Sequence, residues 1–324
     1  MEVIPLTDVA ALGEILIDFT PAGERDGVPL MAQNPGGAPA NVLAMAARLG
    51  SSTAFIGKVG QDSFGDYLEA ILQKEGIDSH GLVRGELPTT LAFVHVAPDG
   101  ERSFTFYRNP GADSSLSPEE LNWDIVTHTR VFHFGGVSLT HNPARAATTF
   151  AVRIARQAGS LITFDPNYRP ALWKNEAKAV EVLTRASRLA DVIKLSLEEM
   201  VFLTGTDHLE LGTALIQEMS GAALIVVSLG EQGAYYRLME QTGQIPAFKA
   251  DAVDTTGAGD AFFGTLIHYL AGRTRRDVEG LSPYQLEKYL DCANAAGALT
   301  VTKPGAIPSL PSREEILDLA ALRS

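Results

Sequence analysis

The stretch Asp254-Thr255-Thr256-Gly257-Ala258-Gly259-Asp260, running directly into Ala261-Phe262-Phe263-Gly264-Thr265-Leu266-Ile267, constrains this chain more than any other. The apolar spacing predicts a helix that starts at the glycines. Such a start presents unpaired backbone amides and the positive end of the helix dipole to whatever lies in front of it, which favours an anion and most commonly a phosphate. Glycine lets the anion approach the main chain without a Cβ in the way. Asp260, in the first turn, would repel that anion. Its placement makes sense if it addresses a hydroxyl lying beside the phosphate and takes its proton as the phosphoryl group moves. The plainer reading is an ordinary turn followed by an aspartate that suits a helix N-terminus.

Taken in order, Val9–Gly13 and Ile15–Phe19 read as an extended segment emerging from a core strand, interrupted by Glu14 and Asp18. Asp18 suits chelation of paired sugar hydroxyls, or else is a turn aspartate before Pro21. Asn34-Pro35-Gly36-Gly37-Ala38-Pro39-Ala40-Asn41 leads into a helix over Val42–Leu49 that stops at Gly50. Backbone amides around Gly36 and Gly37 and the Asn41 side chain could bind hydroxyls there. Thr53–Gly60 and Phe64–Glu75 form a βα unit. A hairpin follows, Thr90–Ala97 and Arg102–Arg108 about a Pro98-Asp99-Gly100 turn. With residues of about 14–35 it should stand outside the main sheet as a small β lid, its second segment at about 88–112. Phe106 and Arg108 would then face the substrate, or Arg108 would be a solvated edge arginine.

From Arg130 strands and helices alternate. Strands are expected at Val131–Phe134, Leu161–Phe164, Asp191–Leu195 and Leu224–Ser228, with helices at about 143–158, 176–189, 197–203 and 209–219. This pattern predicts a mostly parallel sheet covered on both faces, an α/β fold with ligands at the C-terminal strand ends. Asp165–Arg169, Lys194–Glu199 and Ser228–Gly233 occupy such ends. Gly230 and Gly233 permit close approach to a ligand, or form a turn before the strand Ala234–Leu238. A long alanine-rich helix is expected over Leu286–Val301.

A chain of 324 residues with 45% apolar residues can build one large α/β domain with an insertion, or two domains. The formal charge of −13 argues against nucleic acid or an anionic membrane as partner. The single cysteine, Cys292, cannot form an internal disulfide and reads as a buried structural thiol. With no signal-like N-terminus and no long apolar run, a cytoplasmic protein is expected.

The two glycine-rich segments, together with Ser103–Asp113 and Asp165–Trp173, resemble the ribokinase-like (PfkB) carbohydrate kinases over essentially the whole chain, most closely the fructokinase branch. The resemblance implies a single domain spanning 1–324, a three-layer α/β/α sandwich with a small β-sheet lid, and ATP with Mg²⁺ as cofactors. It makes Asp260 the catalytic base and Gly257, Ala258 and Gly259 the anion hole. It puts Asp18, Gly36, Gly37, Asn41, Phe106, Arg108 and Arg169 on the sugar side. The nucleotide side would hold Lys194, Ser196, Ser228, Gly230, Gly233, Gly259 and Asn294. Glu199 would help organise Mg²⁺ through water, although Ser196-x-x-Glu199 lacks the family's asparagine; Mg²⁺ keeps several waters and tolerates this. Asp254, Thr256, Thr300, Lys303, Gly305 and Ser309 resemble a K⁺ site built mainly of backbone carbonyls. The lid could serve as a homodimer interface.

These expectations describe phosphoryl transfer from ATP to a primary hydroxyl of fructose, giving fructose 6-phosphate. Asp260, at an ordinary pKa of about 3.9, would be a weak base that suffices because the proton leaves late. The alternative is a 2-keto-3-deoxygluconate kinase, with Arg108 and Arg169 holding the acid sugar. A nucleoside kinase lacks an evident aromatic cage, and a dinucleotide-dependent dehydrogenase would need Gly-x-Gly-x-x-Gly after the first strand. A non-catalytic sugar-binding relative is the reading from another class.

Overall fold

The computed structural model describes residues 6–96 and 102–323, so Met1–Pro5 and the expected Pro98-Asp99-Gly100 turn lie outside the described residues. The strands in chain order are β1 (Thr7–Leu12), β2 (Leu16–Arg25), β3 (Val28–Gly36), β4 (Thr53–Gly60), β5 (Ile77–Gly85), β6 (Leu91–Val96) and β7 (Arg102–Tyr107). They continue with β8 (Thr129–Gly135), β9 (Leu161–Asp165), β10 (Val192–Ser196), β11 (Leu224–Ser228), β12 (Ala234–Leu238) and β13 (Gln241–Ile245). Among the described residues, nine of these form one sheet in the order β13-β12-β11-β10-β9-β8-β1-β4-β5. Every pairing from β11 to β5 is parallel, while β12 and β13 add an antiparallel edge. The remaining four form the lid, in the order β3-β2-β6-β7.

Alternation along β1 shows why the sheet is covered twice. Val9 and Ala11 enter one hydrophobic cluster with the helices Ala38–Leu49, Ala258–Leu270 and Pro283–Thr300. Ala10 and Leu12 enter the other, with the helices Ala144–Gln157 and Glu176–Ser187. The buried runs 161–164 of β9 and 224–227 of β11 are apolar but for Thr163, because neither face meets water. The expected three-layer sandwich with a lid is the observed architecture. The sequence pattern missed β5, whose Ile77-Asp78-Ser79-His80 alternates weakly because it is an edge strand, and the short helices Trp123–Thr127, Arg275–Glu279 and Arg313–Ala321.

Between β1 and β2 the chain leaves the main sheet for the lid, and between β3 and the Ala38–Leu49 helix it returns. Gly37 makes that return with φ of 112°, and a Cβ there would run into the Glu14 carbonyl. The helix then crosses Ala258–Leu270 at close range, because a Cβ on Gly264 would lie 2.6 Å from the Val42 carbonyl oxygen and 2.9 Å from Met45 Cβ. In an open helix Gly→Ala would stabilise by roughly 0.5–1 kcal/mol. Here overpacking reverses the sign, at a cost of about 1–3 kcal/mol. Gly264→Ala is therefore expected to unfold at lower urea concentration than the parent chain; a higher midpoint would show that the two helices do not meet there.

Candidate active site

The helix predicted at the glycines begins at Ala258, capped by Gly257 in the left-handed conformation with φ of 80°. A side chain on Gly257 would come within 2.9 Å of Ala306 Cβ, so the residue has neither dihedral nor spatial room for one. Ala258, Gly259 and Asp260 form the first turn, where amides have no intrahelical acceptor. Asp260 Oδ2 accepts a hydrogen bond from the Asn41 side-chain amide at 2.7 Å, which joins the two glycine-rich segments across 219 residues. Burial pushes the Asp260 carboxyl above its ordinary pKa; the Asn41 hydrogen bond, Lys194 and Arg169 oppose this, and Asp165 adds to it. The ordinary pKa expected from sequence is thus corrected: enclosure makes Asp260 a stronger base.

Lys194, in the middle of β10, is a cation that acts on Asp260. Its ammonium would stand 3.0 Å from a Cβ on Gly259, directly beside the helix start. It donates to Asp165 Oδ2 at 2.9 Å, and both groups are buried. Burial alone would lower Lys194, but Asp165, Glu199 and Asp260 together hold its pKa above the ordinary value. One ammonium thus faces three carboxylates, an excess of negative charge that suits a further cation.

Glu199 is committed differently from the simple expectation. Ser196 caps the Leu197–Thr204 helix, its hydroxyl accepting from the Glu199 amide at 3.2 Å while Glu199 Oε2 accepts from the Ser196 amide at 2.8 Å. Serine in place of asparagine therefore completes a reciprocal capping box. Glu199 Oε1 accepts from the Tyr168 amide at 2.6 Å, and the carboxyl is pushed upward by burial and by Asp165. No group of three or more His, Cys, Asp or Glu side chains among the described residues could hold a metal directly. Glu199 and Asp165 fit a Mg²⁺ held largely by water and phosphate oxygens.

On the lid side, Asp18 lies against Gly36 in the β2–β3 ladder, so close that a Cβ on Gly36 would collide with its carboxylate. Burial raises Asp18 to about 7; Arg169 opposes the shift, and Asp260 and Asp254 add to it. Arg169 thus acts on both Asp18 and Asp260, and its guanidinium lies 5.9 Å from the centre of the Phe104 ring on β7. Phe104 was missed from sequence, whereas the chosen Phe106 stacks beside it at 6.0 Å. Arg108 is neither a solvated edge residue nor free. It is buried, donating to Asp113 at 2.7 Å, to Thr140 Oγ1 at 2.7 Å and to the Val137 carbonyl at 3.4 Å.

Behind the helix start opens a cleft of about 780 Å³, lined by Ser228, Gly230, Gly233, Gly259, Phe262 and Asn294. The strand-end glycines expected on the nucleotide side are thereby brought together. Asn294 works partly as a brace, its amide donating to the Ile245 and Pro246 carbonyls. Sequence gave no signal for Phe248, which also lines the cleft and carries the Arg323 guanidinium 3.6 Å above its ring. The two loops of the expected cation site do meet: Asp254 Oδ1 accepts from the Thr256 amide at 2.8 Å and Oδ2 from the Gly305 amide at 3.0 Å. The side chains of Thr300 and Ser309 donate to nearby carbonyls, and Lys303 turns to Glu315. Ligation there would fall to main-chain oxygens.

The chain matches the model of the pfkB family carbohydrate kinases over residues 6–313. It is 44% identical to fructokinase-1 of Oryza sativa subsp. japonica over 319 residues, 96% of this chain and 97% of that protein. A crystal structure of fructokinase with bound ATP from Xylella fastidiosa superposes with a TM-score of 0.90 at 33% identity, covering 98% of this chain and 99% of the other. A fructokinase double mutant from Vibrio cholerae O395, in a form with fructose, ADP and potassium ion bound, gives 0.87 at 31% identity over 98% and 99%.

Glu14, passed over in sequence as a mere interruption, is wholly enclosed between β1 and β2. Its Oε1 accepts from the Ala38 amide at 3.2 Å, and its Oε2 has no hydrogen-bond partner among the described residues. Burial raises its pKa to about 7, with Asp113 adding to the shift and Arg108 opposing it. A carboxyl raised in the folded state contributes stability that is complete below its unfolded pKa of 4.5 and is lost as pH rises through the folded value. Glu14→Gln is expected to flatten the fall in melting temperature between about pH 5 and about pH 8. Identical pH dependence in the two proteins would contradict the assignment.

Proposed function

The chain belongs to the pfkB family of carbohydrate kinases, and we propose that it is a cytoplasmic fructokinase, one kinase domain over 1–324 that transfers the γ-phosphoryl group of ATP to a primary hydroxyl of D-fructose. The observation that carries this reading is Asp260, held by Asn41 between the anion-binding helix start and the lid-side Asp18. Fructokinases among its relatives, with ATP in one and fructose, ADP and potassium ion in another, support the pairing of ligands.

The chemistry follows from what each side chain can do. Asp18 accepts from sugar hydroxyls, with amides near Gly37 and the Asn41 side chain beside it. Asp260, made more basic by burial, takes the proton of the hydroxyl that attacks the γ-phosphorus in line, and that oxygen–phosphorus bond forms as the bond to ADP breaks. The amides at Gly257–Gly259 and the Lys194 ammonium stabilise the charge that gathers on the phosphoryl oxygens. Mg²⁺ arriving with the nucleotide would offset phosphate charge near Asp165 and Glu199. K⁺ held by the carbonyls of the 254–256 and 300–309 loops would stiffen the helix start. Arg169 spans lid and base, and closure would exclude water.

The acid-sugar reading is weaker, because Arg108 is spent on Asp113, Thr140 and Val137 and Arg169 already faces Asp18 and Asp260. A non-catalytic role would leave the Asn41–Asp260–Lys194 arrangement without a purpose. Val28, Leu30, Met31 and Tyr107 are exposed on the lid, which supports a homodimer through it; a monomer in sedimentation would count against this.

Coupled ADP release with ATP and Mg²⁺ should show strong preference for D-fructose over 2-keto-3-deoxygluconate, ribose and adenosine. Asp260→Asn should lower kcat by about 10²–10⁴-fold while nucleotide binding persists. Preference for the keto-deoxy acid, or near-normal turnover by the variant, would overturn the reading.

A further inference from the structure

A second cleft, of about 730 Å³, lies between β7 of the lid, the segment Thr140–Arg145 and the stretch Ala171–Lys178. In a chain of formal charge −13 its walls carry Arg108, Arg145, Lys174 and Lys178 and, among the described residues, no carboxylate. Two of these cations are answered from outside the walls, Arg108 by Asp113 and Lys178 by Glu181 at 2.9 Å. Arg145 and Lys174 have no ion pair among the described residues. Arg145 is held in place by hydrogen bonds to the Leu139 and Thr140 carbonyls. The His141 pKa is lowered by burial and then by Arg108 and Arg145. The cationic character is therefore fixed by arginine and lysine and does not depend on histidine charge.

The same walls carry Phe104, Phe106 and Trp173, with Asn109, Asn142 and Thr140 among them as neutral hydrogen-bonding groups. Arg145, Lys174 and Lys178 matched to a phosphate, aromatic faces matched to the C–H surface of a sugar ring, and amides matched to hydroxyls together describe one ligand class. We propose that this cleft binds a phosphorylated sugar, separately from the phosphoryl-transfer centre, and that its occupancy restrains the lid. Phe104 links the two: it lines this cleft and also lies against Arg169, which acts on Asp18 and Asp260. A product of the kind proposed above carries the matching chemistry, which makes the cleft a feedback site. The recognition itself does not depend on fructose being the acceptor.

The chain has two tryptophans, and Trp173 lines the cleft, so Trp123→Phe leaves one indole reporting from it. D-fructose 6-phosphate is titrated into this protein with the transfer centre filled by fructose, Mg²⁺ and a non-hydrolysable ATP analogue. A saturable change in Trp173 fluorescence is expected, weakened at least about tenfold in Lys174→Glu/Lys178→Glu, whose basal ADP release stays unchanged. No saturable change, or equal titration in the double variant, overturns the site; inorganic phosphate titrating as tightly overturns its sugar component. Because the readout is the indole and not ADP release, a failed fructokinase assignment would appear in the turnover assay alone.

Discussion

A hydrogen bond from the Asn41 amide to Asp260 Oδ2 joins the two glycine-rich segments at the candidate site. Neither residue could reach the other unless the Ala38–Leu49 and Ala258–Leu270 helices crossed with almost nothing between them, and Gly264 supplies that closeness. Gly37 and Gly257 set the entry angles of the same two helices through left-handed or otherwise restricted backbone. The glycine-rich segments are thus two parts of one device: they start two helices, bring them together, and leave one carboxylate among Asn41, Lys194 and Arg169.

Electrostatics then divides the labour among carboxylates of similar type. Asp165 is tied to the Lys194 ammonium, and Glu199 is tied to two backbone amides through a capping box and the Tyr168 turn. Asp18 and Asp260 are less satisfied, and burial raises both. The satisfied pair leaves surplus negative charge where a nucleotide-borne cation would rest, while the unsatisfied pair would be free to accept from hydroxyls. Lys194 belongs to both sets, since its position beside Gly259 puts its charge next to the amides of the helix start.

Much of this was legible in the sequence. Long apolar strands such as Leu224–Ser228 and the helices that alternate with them carry their own periodicity, and glycine pairs at helix starts carry a backbone requirement. What could not be read depends on contacts between distant segments. Nothing near Arg108 in sequence announces that Thr140 and Val137 accept its hydrogen bonds. Phe104 gains significance only from Arg169 above it, Glu14 only from its enclosure beneath Ala38, and Phe248 only from Arg323. The serine that stands in place of the family's asparagine at position 196 is a helix cap whose partner is the same Glu199.

The central claim is that Asp260 is the base and that Asn41 and burial together set its strength. The most direct test is the pH dependence of kcat/KM for fructose in the parent protein and in Asn41→Ala. Since the Asn41 hydrogen bond lowers the Asp260 pKa against the rise imposed by burial, the acid limb should lie above the ordinary carboxylate value and move further upward in the variant. An acid limb at the ordinary carboxylate value, unmoved by the loss of Asn41, would contradict the account.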